Sequence, residues 1–579
     1  MAFSCFLVGT GGLLIQCGEA LLARGHRVLG VLSPDSHLEH WAARHGLPFR
    51  ASAADCAPTL AAVEFDFLFS IRNPWILPGE VLRLPRRMAI NYHDAPLPAH
   101  AGSNSATWAL LAGEAEHGIS WHVMAERVDG GDLLRCATFP ILVEETAFSL
   151  NMKCFQAALA AWKDLLDDIE ADRLAPRPQE AGRRSYHRLS EKPPAGGVVS
   201  WQRGAEELDR LVRALDFSGL PNLLLCPKLA SGERFFIIRN LEMLPARSSA
   251  PPGTVVGLSP GALTVATASR DVALRELATI DGKPLALSDV ALQLGIRPGT
   301  RLPELTAEAA ERLTRLVRAY APFEAHWMER LTALEPLEQP ARSAGGAAAA
   351  SASGEAMRPA SLATAACPAL PMELPAELAA LLERPERHEE AVALLITAFA
   401  LALAQTSGRA RFDVGLRGMA AAREIAGLEG FFAAFVPLRC DFEGADTWAT
   451  AAARVKRDLA WCSRHGTYPR DLAARSLLPW REGGDGSSQL EIAIDAGPPA
   501  AATGGPAAAA GAAEPAPVLT LALAPGEQDA APARLRFAAG TDTAWAREVK
   551  ERCERLVEEP CEHLPRALAQ ASVRAPAPG

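Results

Sequence analysis

The chain has 579 residues, too many for one hydrophobic core, and its length alone predicts three or four domains. Hydrophobic residues make up 49% and charged residues 22%, a globular composition. The net charge of −10 argues against a protein that holds phosphates along a basic face, so no nucleic-acid partner is expected. The 11 cysteines include no CxxC pair, and such an unpatterned set predicts reduced thiols and a cytoplasmic location.

The opening MAFSCFLVG is apolar, but Glu19, Arg24 and Arg27 follow too soon for a membrane span, so no membrane association is expected. Residues 4–9 read as a buried strand, Leu13–Arg24 as a helix and Arg27–Ser33 as a second strand. Apolar runs at 65–70 and 88–93 continue the alternation of strand and helix, which predicts an α/β domain with a Rossmann-like parallel sheet over residues 1–190. Gly9, Gly11 and Gly12 follow the first strand, but Leu14 stands where a dinucleotide fingerprint needs its third glycine, so a tight turn is the better reading. Ala147–Ala171 reads as a long amphipathic helix, and the Pro- and Arg-rich stretch 174–199 as a linker. A helix at Ala205–Leu215 and short strands such as 262–268 and 272–278, punctuated by Gly and Pro turns, predict a small, OB-like β-barrel subdomain over 200–305. A helical connector (306–341), a low-complexity linker (342–367) and an α+β region (368–570), with a disordered loop near 497–517, complete the expected organisation.

The segment MAINYHDAPLPAHAG, residues 88–102, carries the most chemistry. Strand periodicity puts Asn91 and His93 on one face and Ile90 and Tyr92 on the other. Two polar groups at the carboxyl end of a parallel strand stand where open α/β sheets bind ligands. A second polar element is the turn RVDGGDLL at 127–134, where Asp129 precedes two glycines. An amide, an imidazole and a carboxylate together are the parts that acyl transfer to an amine requires: a proton acceptor, a group to tune it and a donor to the developing oxyanion. The histidines lack the spacing of a zinc motif, so no metal is expected.

With NYHDAPLPAHAG at 91–102, WALLAGEAEHGISWHVM at 108–124 and DGGD at 129–132 in that order, the chain resembles the folate-dependent formyltransferase family, which includes methionyl-tRNA formyltransferases. The resemblance implies that 10-formyltetrahydrofolate is the co-substrate and that Asn91, His93 and Asp129 are the catalytic trio. In those roles His93 would take a proton from the amine or stabilise charge, Asn91 would donate to the formyl oxygen and Asp129 would hold the imidazole. SIRNPWILP at 70–78 resembles the family's pterin-side loop, which makes Ile71, Arg72, Trp75, Ile76, Leu77 and Asp129 candidate folate contacts. The family often carries Ser after His-x and two Leu before Pro, whereas this chain reads His93-Asp94-Ala95-Pro96-Leu97-Pro98, closer to the formylating domains of nonribosomal peptide synthetases. WQRGAEELDRLVRALDFSGLPNLLLCPKL at 201–229 is similar to the opening of the family's C-terminal barrel.

Residues 321–334, 409–418 and 428–442 resemble the second half of a peptide-synthetase condensation domain, without the His-His pair that performs condensation. The resemblances imply an amine acceptor from nonribosomal peptide or siderophore assembly, free or tethered to a carrier protein, and a synthetase domain or carrier protein as partner. The alternatives are an amino sugar, an aminoacyl-tRNA, or a non-catalytic docking protein of a synthetase. The apolar FFAAFVPL at 431–438 is the expected docking seam, and residues 1–340 are expected to fold without the remainder.

Overall fold

The computed structural model describes residues 2–338 and 369–558, apart from 383, 385, 445–446, 477–489, 497–516, 524–532 and 538–540. The expected linker at 342–367, and the loop near 497–517 except its last residue, lie outside the described residues. The chain divides into two compact units, one of Met1–Glu191 with Gly204–Leu224 and one of Lys192–Arg203 with Leu225–Gly579.

In the first unit the elements run β1 (Ser4–Gly9), α1 (Gly11–Ala23), β2 (Arg27–Leu32), α2 (Ser36–Arg44), β3 (Phe49–Arg50), α3 (Cys56–Ala61), β4 (Phe67–Ile71), α4 (Gly79–Leu82), β5 (Met88–His93), β6 (Ala101–Gly102), α5 (Ser105–Ala112), β7 (Glu116–Val123), β8 (Leu133–Pro140), α6 (Ala147–Glu170), β9 (Tyr186–His187) and α7 (Ala205–Ala214). The main sheet has the order β3-β2-β1-β4-β5-β7-β8. Its first five strands are parallel, and their apolar runs are buried because helices cover such sheets on both faces. Gly9 ends β1 at φ 141°, and a Cβ there would lie 1.8 Å from the Ile71 carbonyl oxygen, so the close approach of β1 and β4 at their carboxyl ends excludes any side chain.

The sheet is mixed rather than wholly parallel. β7 is antiparallel to both β5 and β8, and pairs Ile90 with Val123 and His93 with Ser120. The connection 94–115 therefore begins and ends at the same end of the sheet and never crosses it, which alternation of apolar runs does not reveal. Helix α6 is fixed at its start by a capping box between Thr146 and Ser149, and buries Leu150, Cys154, Trp162, Leu165 and Ile169 along one stripe.

The second unit contains β10 (Lys228–Ser231), β11 (Arg234–Met243), β12 (Val255–Ser259), β13 (Ala262–Val265), β14 (Val272–Thr279), β15 (Pro284–Leu285), α8 (Leu287–Leu294), α9 (Ala307–Tyr320), α10 (Glu324–Thr332), β16 (Ala369–Pro371), α11 (Ala376–Leu382), α12 (His388–Ser407), β17 (Arg411–Arg417), α13 (Met419–Glu424), β18 (Val436–Asp441), α14 (Trp448–His465), β19 (Ile492–Asp495), β20 (Leu519–Ala522), β21 (Arg534–Phe537) and α15 (Thr543–Glu558). Strands β10–β15 form an antiparallel sheet of order β10-β11-β14-β13-β12, with β15 beside β14 and no ladder joining β12 to β10. A second sheet of this unit runs β16-β21-β20-β19-β17-β18. Helix α12 is long and apolar enough to cross a bilayer by composition, with mean hydropathy 1.6, but most of it is buried within the protein in a core that also takes residues of α14 and α15.

The expected boundaries need correction here. Residues 204–224 belong with the first unit: Thr107 Oγ1 on α5 donates to the Ala214 carbonyl and Arg213 to the Glu145 carbonyl. The β10–β15 sheet and the region after residue 368 share one buried cluster, in which Ala230, Phe235 and Ile280 meet Ile425, Leu428, Phe431 and Phe432. Phe431 and Phe432 are fully buried, and Phe431 meets Phe235 edge-to-face at 5.3 Å, so the expected docking seam is an internal contact. Beneath it Lys228 and Asp471, both fully buried, form a 2.6 Å ion pair. The Asp471 carboxylate also accepts from the Cys226 amide and from Arg475, which in turn reaches Glu324, the partner of Lys192. Burial opposes ionisation of Asp471, yet Lys228 and Arg475 hold its pKa below the usual carboxylate value.

Candidate active site

Strand β5 delivers Asn91 and His93 to its carboxyl end as the alternation requires, while Ile90 and Tyr92 enter the core on the other face. The Nε2 of His93 lies 2.9 Å from the His100 carbonyl oxygen, an acceptor only, so the proton sits on Nε2 and Nδ1 is the basic nitrogen. Nδ1 faces two carboxylates, Asp129 Oδ2 at 3.6 Å and Asp94 Oδ1 at 3.7 Å. Both separations exceed hydrogen-bond length.

Asp129 occupies the turn between β7 and β8 at φ 48°, a left-handed conformation that is costly outside glycine. Its Oδ2 accepts from the Gly102 amide at 2.8 Å, and its Oδ1 lies 3.4 Å from His122 Nε2 and 3.5 Å from Asn91 Nδ2. Burial works against the charged form, but the His122 hydrogen bond, the charge of His93 and the Gly102 amide outweigh it and pull the pKa down to about 2. Gly102 can come this close only without a side chain: its φ is 98°, and a Cβ would meet the His187 carbonyl oxygen at 2.0 Å.

Asn91 takes a hydrogen bond from Ser70 at 2.7 Å on its carbonyl side. Its Nδ2 lies 3.0 Å from the Tyr92 carbonyl and 3.1 Å from His122 Nε2. His122 is buried, its Nδ1 donates to the Val123 carbonyl at 2.9 Å, and its Nε2 stands between Asn91 Nδ2 and Asp129 Oδ1. The antiparallel register of β5 and β7 pairs Asn91 with His122, and for that reason sequence reasoning passed over this histidine.

The stretch 174–199 is more than a linker. Gln179 Nε2 donates to the carbonyls of Asp129 and Gly131, and Arg184 to those of Val128 and Asp129. Ser185 Oγ accepts from the His100 amide at 2.7 Å, and β9 pairs with β6. His187 stacks on Trp108, with ring centroids 4.7 Å apart. One short segment thus holds two left-handed positions of the site, His100 and Asp129. Nothing in its composition marks it for this role.

Of the expected folate-side residues, Arg72 and Ile76 are exposed and Trp75 is half-buried on the loop after β4. Ile76 is 85% exposed, one of the two most exposed large apolar side chains among the described residues. The side chains of Ile71 and Leu77 are buried in the core. Among the described residues no group of three or more His, Cys, Asp or Glu side chains is arranged to hold a metal ion.

An imidazole with one committed and one basic nitrogen, a saturated carboxylate and a primary amide at the end of a strand define an enzyme of acyl-group transfer. The family described as formyl transferase matches residues 47–162, and that described as formyl transferase, C-terminal domain, matches residues 193–294. A methionyl-tRNA formyltransferase of Thiobacillus denitrificans is 32% identical over 317 residues, 51% of this chain and 97% of that protein. Among solved structures, the N-formyltransferase from Helicobacter canadensis in complex with folinic acid and dTDP-3-aminofucose is similar at 14% identity and a TM-score of 0.39, over 48% of this chain and 99% of that one. HypX from Aquifex aeolicus is similar at 17% identity and a TM-score of 0.37, over 50% of this chain, and the match spans about half (49%) of HypX. The chain belongs to the formyltransferase family and is a folate-dependent enzyme of one-carbon transfer.

Proposed function

We propose that the protein transfers a formyl group from 10-formyltetrahydrofolate to the primary amine of an amino acid or aminoacyl intermediate in nonribosomal peptide or siderophore assembly. The observation that carries the transfer reading is the convergence of Asn91, His93 and Asp129 at the carboxyl end of β5. The donor supplies an activated formyl carbon, and the exposed Ile76 with the half-buried Trp75 offers an apolar surface suited to its flat pterin. His93 Nδ1 takes a proton from the incoming amine, and the Nε2–H anchored on His100 keeps the ring from turning. Asp129 holds a fixed negative charge beside the imidazolium so formed. Asn91 supplies an N–H to the formyl oxygen as charge builds there, exchanging one of its present contacts, to Tyr92 or His122, for that bond.

The peptide-synthetase acceptor rests on the motif His93-Asp94-Ala95-Pro96 and on the resemblance of the region after residue 320 to half a condensation domain. A cytoplasmic location is supported by the described cysteines, which are free thiols and, Cys136 excepted, buried. A second reading, formylation of methionyl-tRNA, is favoured by the relative from Thiobacillus denitrificans. The test is tetrahydrofolate release with free amino acids, aminoacyl thioesters on a carrier protein, amino sugars and methionyl-tRNA. Turnover with methionyl-tRNA alone would replace the first reading by the second.

A further inference from the structure

The two carboxylates that flank His93 are not equivalent. Asp129 is 8% exposed at its side chain, and its oxygens face the Gly102 amide, His122 and Asn91. Asp94 is 32% exposed, and its carboxylate accepts no hydrogen bond from any described residue. It does not cap the turn that follows. Residue 96 is proline and has no amide hydrogen, and the Leu97 amide goes to the Ala95 carbonyl and Ser120 Oγ. The main-chain carbonyl of Asp94 is used, by His117 Nε2 at 2.8 Å and by the Cys154 thiol at 4.0 Å. An ionisable group placed beside a basic nitrogen, partly open and without a structural partner, is a group kept for a ligand.

The distances say which ligand. Nδ1 is the one nitrogen of His93 that can accept a proton, and neither carboxylate is close enough to bond to it. Two negative charges lie beside Nδ1, and of the two carboxylates only that of Asp94 is free to bond, so the occupant that suits Nδ1 and Asp94 together is a cation carrying several N–H donors. A primary ammonium has three such donors, and it is also the resting state of an aliphatic amine at neutral pH. We propose that Asp94 is the docking carboxylate for the acceptor ammonium. It binds the charged form and holds its nitrogen beside His93 Nδ1, so that one N–H proton passes to His93 and the freed lone pair points at the formyl carbon. The balance is closed by the donor: the acceptor nitrogen bonds to the formyl carbon and gives up its second proton, the donor's bond to that carbon breaks, and the departing folate nitrogen takes up that second proton, the first remaining on His93. This inference rests on the acyl-transfer reading of the same site, and it adds that acceptors are selected as primary ammonium ions and not as neutral nucleophiles.

The test uses full-length protein saturated with 5-formyltetrahydrofolate and reads ethylammonium binding by saturation-transfer NMR, with ethanol as the neutral isostere. Wild type is expected to bind ethylammonium and not ethanol. Asp94→Asn, with Asp94→Ser as a second uncharged variant, is expected to weaken ethylammonium binding at least about tenfold, the scale of losing one charge-assisted hydrogen bond. The exposed carboxylate variant Glu114→Gln should bind as wild type does. In parallel, the Michaelis constant for any amine of the acceptor panel that is turned over should rise at least about tenfold in Asp94→Asn. Equal ethylammonium binding in wild type and both Asp94 variants, or equal Michaelis constants, would overturn the proposal while leaving formyl transfer intact. Asp94-dependent ammonium binding with no amine turned over would instead uphold the subsite and refute the acceptor reading.

Discussion

His93 and His100, seven residues apart, are joined by a 2.9 Å bond from the ring Nε2 of the first to the main-chain oxygen of the second. That bond assigns the tautomer and so decides which face of His93 does chemistry. Replacing His93 by Ala, or Asp129 by Asn, is expected to lower formyl transfer by at least about a hundredfold, the usual contribution of one general base or charge stabiliser. Initial rates of tetrahydrofolate release, with circular dichroism to confirm folding, check this. Turnover within a few-fold of wild type would place the chemistry elsewhere.

A milder but more telling effect is expected at Gln179 and Arg184, whose donors end on the main chain of the Asp129 turn. Gln179→Ala and Arg184→Ala should each reduce kcat by about tenfold through displacement of Asp129, because small misplacements of a catalytic group are costly. The melting temperature should fall by only a few degrees. Unchanged kcat in both variants would show that the Asp129 turn holds its shape without them.

The buried pair Lys228–Asp471 makes the opposite prediction to the one that the sequence suggests for residues 1–340. Truncation after residue 338 would leave Lys228 inside the protein with no carboxylate and would strip Phe235 and Leu313 of Phe431 and Phe432. The fragment should be insoluble or marginally stable. Asp471→Ala alone should cost about 3–5 kcal/mol in urea denaturation, the usual penalty for orphaning a buried charge. Lys228→Met combined with Asp471→Leu should recover part of that loss, since Lys228 is no longer stranded while Arg475 keeps Glu324 but loses Asp471.

His117 makes stability depend on pH. Burial lowers its pKa to about 4, from an ordinary value of 6.5. Between these values the unfolded chain binds the proton and the folded protein does not, so stability falls as the pH drops from about 6.5 toward 4, by up to about 3 kcal/mol. His117→Gln should flatten this part of the profile in denaturant titrations at pH 7, 6, 5 and 4.5. A slope unchanged by the substitution would assign it to other groups.

Much of the first unit was legible in the sequence because its strands are buried on both faces and read as plain apolar runs. Helix α6 and strands β1, β2, β4 and β5 fall where periodicity puts them, within a few residues at each end. Asn91 and His93 were legible for the same reason, since strand alternation fixes their common face. His122 was not, because its relevance depends on which strand lies beside β5 and in which direction. Gln179 and Arg184 were hidden among polar loop residues whose donors serve main-chain acceptors, a role without a side-chain pattern. For Ile71 and Leu77 a motif gave the place along the chain, but only packing decides that each side chain is buried. The cluster that Phe235 and Leu313 share with Phe431 and Phe432 escaped notice because a low-complexity stretch in the chain says nothing about whether the folded regions on its two sides touch.

The ion pair of Lys228 and Asp471 also constrains how the protein is made, for its partners lie 243 residues apart. At ordinary translation rates of about 5–20 residues per second, the lysine leaves the ribosome roughly 12–50 seconds before its aspartate does. The first unit is complete by residue 224 and can close during that interval. Strands β10–β14 must wait, with their apolar face uncovered, until nearly the whole chain has emerged. A nascent chain stalled near residue 340 is therefore the point at which chaperone demand should be greatest.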